Sequence, residues 1–261
     1  MKKNILLMTA AAMLALASCE KEHVYVPGNP TGDNDNVYFS AVNESSVVMA
    51  SDATELTVLV SRTEFTNALS VPVNAWASDP AAFDFPATVE FAAGQETAEY
   101  KITTTADMQM FEDYQVRLNV SDEYTHAYDT LDVFPRYSAN VVKEDYVPYA
   151  KGVYLSGFFE YAAGLPAWEQ VMEYSAILDS YRFSDLWKPG YGMTFQWDGE
   201  QEFAFEEQYA TGWSAGYGLI YALPQEAAYD SATKTITIAV DMYDTSTWGI
   251  FPETYTITEI L

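Results

Sequence analysis

The feature that most constrains this chain is a two-residue period. Leu56, Val58 and Val60 alternate with Thr57, Leu59 and Ser61. Tyr100 and Ile102 alternate with Glu99, Lys101 and Thr103, and Val116, Leu118 and Val120 with Gln115, Arg117 and Asn119. Successive side chains of an extended chain leave on opposite sides, so each run sends one row to a core and the other to water. Breaks at Asp79-Pro80, Phe85-Pro86 and Ala93-Gly94-Gln95 read as turns. Residues 37–143 carry no helical stripe; about seven short strands there predict an antiparallel sandwich.

Residues 144–261 continue the period with a different composition. They hold 25 aromatic residues in 118, against 15 in 125 for residues 19–143, while both stretches carry a net charge of -14. Aromaticity therefore divides the chain and charge does not. The boundary falls at Asp145-Tyr146-Val147-Pro148-Tyr149. Ile236, Ile238 and Val240, the polar turn Asp244–Gly249, then Tyr255 and Ile257 read as a hairpin. Met193–Trp197, Asp198-Gly199 and Glu202–Phe205 read as another. Pro166–Tyr181 fits a strand with Trp168, Met172, Tyr174 and Leu178 on one face, or a helix opening at Pro166; its neighbours favour the strand. The fold class is all-β, with two tandem antiparallel domains at 37–143 and 144–261, the second a hairpin-rich sandwich or barrel.

The first residues are an address. Lys2-Lys3 precedes an apolar stretch, Ile5–Leu16, too short to span a bilayer as a mature helix. It ends in Leu16-Ala17-Ser18-Cys19, which resembles the bacterial lipobox, and Cys19 is the only cysteine. The resemblance implies that residues 1–18 are a lipoprotein signal peptide and that Cys19 carries more than one acyl chain, as stable anchoring requires. Glu20-Lys21-Glu22 resembles the surface-export signal of Bacteroidetes-type lipoproteins. Residues 19–36, rich in Pro, Gly, Asn and Asp, read as a flexible tether. The expected location is the outer membrane, lipid-anchored, at the cell surface.

Four segments in order resemble a Calx-beta domain, an immunoglobulin-like sandwich. They are Leu59-Val60-Ser61-Arg62-Thr63, Ser70-Val71-Pro72-Val73-Asn74, Phe91-Ala92-Ala93-Gly94-Gln95-Glu96-Thr97, and Glu112 to Leu118. The family suggests calcium, for which Asp84, Asp107 and Asp113 are the metal candidates. Calcium takes six to eight oxygens. Here Ala50-Ser51-Asp52 stands where the family has its first Glu, and apolar residues interrupt the acids between Asp107 and Asp113. The donor set is short, so the expectation is a domain without a cofactor, with calcium as the alternative. The second half resembles uncharacterised C-terminal β modules of Bacteroidetes-type lipoproteins through Tyr181–Trp187 and its two hairpins.

The chain holds 12 Lys and Arg against 38 Asp and Glu, a net charge of -26. Phosphate neutralisation by basic residues is the basis of nucleic-acid affinity, so nucleic acid is excluded as a partner. The only histidines are His23, in the tether, and His126, so residues 144–261 lack the usual base of a nucleophilic triad. With 38 acids, carboxylate pairs are unavoidable, and Glu200, Glu202, Glu206 and Glu207 read as a solvated hairpin face. No catalytic residue is assigned. Trp residues of a small β domain can simply be its core. The exceptions expected from position are Trp213 and Tyr217, in a Gly-rich stretch read as a loop, and Trp248, in a predicted turn, with Trp187 as a further ligand contact. The leading expectation is a non-enzymatic surface lipoprotein whose second domain binds glycan or another envelope ligand. The alternatives are a structural or protein-interaction module and a carboxylate-based glycosidase.

Overall fold

The computed structural model describes residues 35–125, 134–215 and 218–261. Among the described residues, nine strands build the first half: β1 (Val37–Phe39), β2 (Ser46–Ala50), β3 (Glu55–Arg62), β4 (Leu69–Ala77), β5 (Phe83–Asp84), β6 (Thr88–Phe91), β7 (Thr97–Thr104), β8 (Tyr114–Val120) and β9 (Arg136–Glu144). They form two sheets, ordered β1-β3-β7-β5 and β2-β9-β8-β4-β6. All pairings are antiparallel except β2 with β9, which is parallel. In β7 the alternation is complete, with Ala98, Tyr100, Ile102 and Thr104 buried and their neighbours exposed. Val58, Val60, Val71, Val116, Val120 and Val141 are fully buried between the sheets. The sandwich expected from the sequence is thus present, with two more strands than the alternation resolves. The extra ones, such as β1 and β5, are too short to show a period.

Arg62 lies in this core with no exposed surface. Its Nε donates to Gln95 O at 2.9 Å and its Nη2 to Ala92 O at 3.0 Å, and the guanidinium lies 4.8 Å from the Phe91 ring centroid. A buried charge must be compensated in this way. The side chain thereby ties the end of β3 to the β6–β7 turn.

The second half adds β10 (Val147–Ser156), helix α1 (Gly157–Ala163), β11 (Trp168–Ser175), β12 (Ser180–Lys188), β13 (Tyr191–Trp197), β14 (Phe203–Phe205), β15 (Tyr209–Ala215), β16 (Gly218–Asp230), β17 (Thr235–Tyr243) and β18 (Thr247–Ile260). The sheet order is β14-β13-β12-β11-β10-β18-β17-β16-β15, antiparallel throughout, so the first and last long strands pair. Side-chain bonds from β15 and β12 across to β12, β13 and β15 curl the open sheet into a half-barrel, called the barrel below. Trp213 Nε1 donates to Trp187 O at 3.1 Å, Lys188 Nζ to Gly212 O at 2.9 Å, and the Tyr209 hydroxyl to Thr194 O. Tyr154, Phe183, Phe195, Ile236, Val240, Met242 and Tyr255 fill the interior, as side chains do in a barrel of this size. Pro166–Tyr181 resolves as β11, a turn and the start of β12. Trp168, Met172 and Tyr174 fall on one face as expected, but Leu178 sits in the turn and is exposed. The sequence reading did not include α1.

The two buried clusters share no residue: one lies within 37–141, the other within 150–257. The joint between them is pinned. Arg182 Nη1 donates to Glu144 at 2.5 Å and its Nε to Glu173 at 2.9 Å, and the guanidinium lies 3.8 Å from the Tyr146 ring centroid. Asp145 accepts from Ser175 Oγ and Ile177 N, while the Tyr146 ring meets Phe111 of the first half edge-on at 5.9 Å.

Candidate functional site

Antiparallel order gives the barrel two ends. The near end, beside the joint, carries the 176–179 and 198–202 turns; the far end carries α1 and the start of β18.

At the far end the structure corrects the placement of three aromatic residues. Trp187 is 7% exposed and belongs to the core, because β12 turns it inward beside Leu186. Trp213 is in β15 and not in a loop. Gly212 beside it has φ 72°, and any Cβ there would lie 2.5 Å from the Tyr191 ring, so this glycine serves packing. Trp213 itself is half-buried, with Phe159 at 5.3 Å and the Lys188 ammonium 4.5 Å from its centroid. Trp248 is 46% exposed, but it lies in β18 and not in the predicted turn. The register shifts between Met242 and Tyr243, opposite Trp248, and Gly249 has φ 116°; such a bulge re-aims a side chain. Tyr217 and Cys19 lie outside the described residues. Ile250 on the same strand is exposed, as is Tyr161 of α1, whose ring lies 5.8 Å from that of Phe251.

Open cavities among the described residues include one of about 540 Å³ beside Lys151, Glu169 and Glu259, one of about 360 Å³ beside Asn43 and Tyr137, and a smaller one at the near end, of which the last alone is lined by Trp and Phe. The near-end cavity, of about 300 Å³, is lined by Asp179, Gln196, Trp197, Asp198, Glu202, Phe203 and Ala204. The β13–β14 hairpin positions most of it, pairing Trp197 with Phe203 and Gln196 with Ala204. The turn is held by Asp198, whose Oδ1 accepts from Glu200 N at 2.8 Å and Glu202 N at 3.0 Å. Trp197 Nε1 donates to Glu200 O at 3.2 Å. The Trp197 and Phe203 rings are nearly parallel, 8° apart with centroids at 5.8 Å, and Tyr229 meets Trp197 edge-on at 5.0 Å. Asp179 arrives from the β11–β12 turn, where Oδ1 accepts from the Tyr174 hydroxyl at 2.8 Å. The site thus presents two rigid rings, three carboxylates and one amide, and no basic side chain lines it. Glu200, Glu202, Glu206 and Glu207 are exposed, as expected of a hairpin face, but Glu202 also edges this cavity.

Asp84, Asp107 and Asp113 are not brought together. Among the described residues no group of three or more His, Cys, Asp or Glu side chains could hold a metal ion. Phe111, with φ 62°, is turned toward the joint between the acids, so the loop that would carry a calcium ligand set instead packs on Tyr146.

No family model and no curated protein matches the chain. Among solved structures, CBD12 from CALX1.2 is 13% identical with a TM-score of 0.33, covering 85% of this chain and 75% of that one. An auxiliary nutrient binding protein from Bacteroides thetaiotaomicron is 8% identical with a TM-score of 0.34, covering 82% and 90%. The E. coli chaperone DraB is 13% identical with a TM-score of 0.29, covering 87% and 97%.

Proposed function

We propose that this protein is a lipid-anchored, non-catalytic binding module of the outer-membrane surface, and that it takes glycan in the near-end cavity of its barrel. The observation that carries this reading is the composition of that cavity. Flat aromatic faces suit the apolar faces of pyranose rings, while Asp179, Asp198, Glu202 and the Gln196 amide suit hydroxyl groups. Concave sites with aromatic walls and a few placed polar groups are the usual form of a small-ligand site. The hairpin holds its shape through its own hydrogen bonds, so little ordering cost falls on binding. Anchoring through Cys19 and the tether would present the sandwich first and the barrel beyond it.

A glycan array probed with residues 19–261, produced without the signal peptide and with Cys19 replaced by Ser, tests the reading. Binding to a defined oligosaccharide set, reduced in Gln196→Ala and Glu202→Gln, is the expected result. Both residues are exposed, so these substitutions leave the fold intact. Retention of no glycan by the wild-type chain overturns the reading.

A further inference from the structure

Glu253 is the unusual residue of the far end. It sits on β18 with no exposed surface, where carboxylates are rarely found without a cation. Its Oε2 accepts from the Tyr154 hydroxyl at 2.9 Å and its Oε1 from Ser156 Oγ at 2.8 Å. The Phe158 backbone N–H also favours its ionised form. Ser156 is also the N-cap of α1, accepting from Phe159 N at 3.2 Å. One carboxyl group therefore holds β10, β18 and the first turn of α1 together.

The helix is seated without slack. A Cβ on Gly157 would lie 2.5 Å from Pro252 O, so α1 rests directly on β18. Phe158 and Phe159 point down and are buried, Phe158 meeting Phe251 at 5.2 Å and Phe159 meeting Trp213 at 5.3 Å. The helix is thus the cover of the barrel's apolar end. The groups facing Glu253 are few. β17 sets Ile238 opposite it, β10 offers Ser156 and Tyr154, and the titratable side chains of α1, Glu160 and Tyr161, are exposed. No ion pair involves Glu253 among the described residues.

We propose that α1 is a proton-latched cap: it stays seated while Glu253 is protonated and loosens when that carboxyl ionises. Burial is the cause. It lifts the carboxyl from 4.5 to about 7, with the three donors acting against the shift. When α1 lifts, Glu253 meets water and regains its ordinary acidity, so each ionisation favours the lifted state. Lifting exposes Phe158, Phe159 and the apolar barrel end, which makes the surface available for contact a function of pH.

Amide hydrogen exchange of residues 157–163 in the mature chain, corrected for the intrinsic pH dependence of exchange, reads this without any ligand. With pKa values of about 7 seated and 4.5 lifted, protection of α1 should fall about 25-fold from pH 5.5 to pH 8. In Glu253→Gln the corrected protection should not change with pH. Tyr154→Phe removes a donor to the carboxylate, so the fall should continue to higher pH than in the wild type. This second variant keeps the test decisive if Glu253→Gln does not fold. Constant protection in the wild type, or an equal fall in Glu253→Gln, overturns the proposal. The outcome is independent of whether the near-end cavity takes glycan.

Discussion

Replacing Arg62 by Met isolates one buried charge. The aliphatic stem is kept and only the guanidinium is lost. The wild-type group makes two short bonds, to Gln95 O at 2.9 Å and Ala92 O at 3.0 Å, and a long one to Phe65 O at 3.4 Å. Its Nη1 has no hydrogen-bond partner and lies 3.8 Å from Asp35. Hydrogen bonds to a charged group contribute about 1.5–3 kcal/mol each. The two short ones therefore contribute roughly 3–6 kcal/mol, offset in part because burying the guanidinium is unfavourable and Met is not. A net loss of about 3 kcal/mol follows. For a domain of this size that lowers the melting temperature by about 12–20 °C. Differential scanning calorimetry is the assay, because two cores without a shared residue should give separable transitions. The sandwich transition should fall and the barrel transition should stay within about 2 °C. A sandwich shift under about 4 °C, or a common fall of both, refutes the reasoning.

Three further outcomes are expected, two from the geometry and one from the sequence around Cys19. Glu253 has a folded pKa of about 7 against 4.5 unfolded, so the stability it contributes is complete below 4.5 and lost as pH rises through 7. The difference is worth about 3 kcal/mol, and urea unfolding of Glu253→Gln should show a correspondingly flatter fall between pH 5 and pH 8 than the wild type. Arg182→Ala removes both ion pairs and the Tyr146 contact at the joint; small-angle scattering should show a wider spread of domain orientations, and an unchanged profile would deny the joint its role. Cys19→Ala should abolish fatty-acid incorporation and release the protein from the membrane fraction, and continued labelling would remove the anchor.

The strands were legible where a long row alternates, as in β7 and β17, because burial and period coincide there. For residues 144–261 the sequence left sandwich and barrel both open, since the choice rests on Trp213, Lys188 and Tyr209 meeting residues of β12 and β13. Helix α1 was hidden for a different reason. It is seven residues long and held by Gly157, Ser156 and Glu253, of which the last is about a hundred positions away. Aromatic richness singled out residues 144–261, whose rings the structure distributes over both ends of the fold. Trp213 lies among glycines, which read as a loop, yet Gly212 is there to admit the Tyr191 ring. Trp197 and Phe203 were visible as hairpin neighbours. The signal missed was the acidic turn between them, whose Asp198 shapes a cavity that Asp179 completes from another hairpin.

The most direct test compares the two ends. An array-selected oligosaccharide is titrated calorimetrically into the wild type, Trp197→Ala and Trp248→Ala, with Glu202→Gln as the variant that spares the aromatic packing. Affinity should drop about tenfold or more in Trp197→Ala, fall measurably in Glu202→Gln, and match the wild type in Trp248→Ala. Loss confined to Trp248→Ala, with Trp197→Ala and Glu202→Gln binding normally, would move the site to the far end and contradict the account.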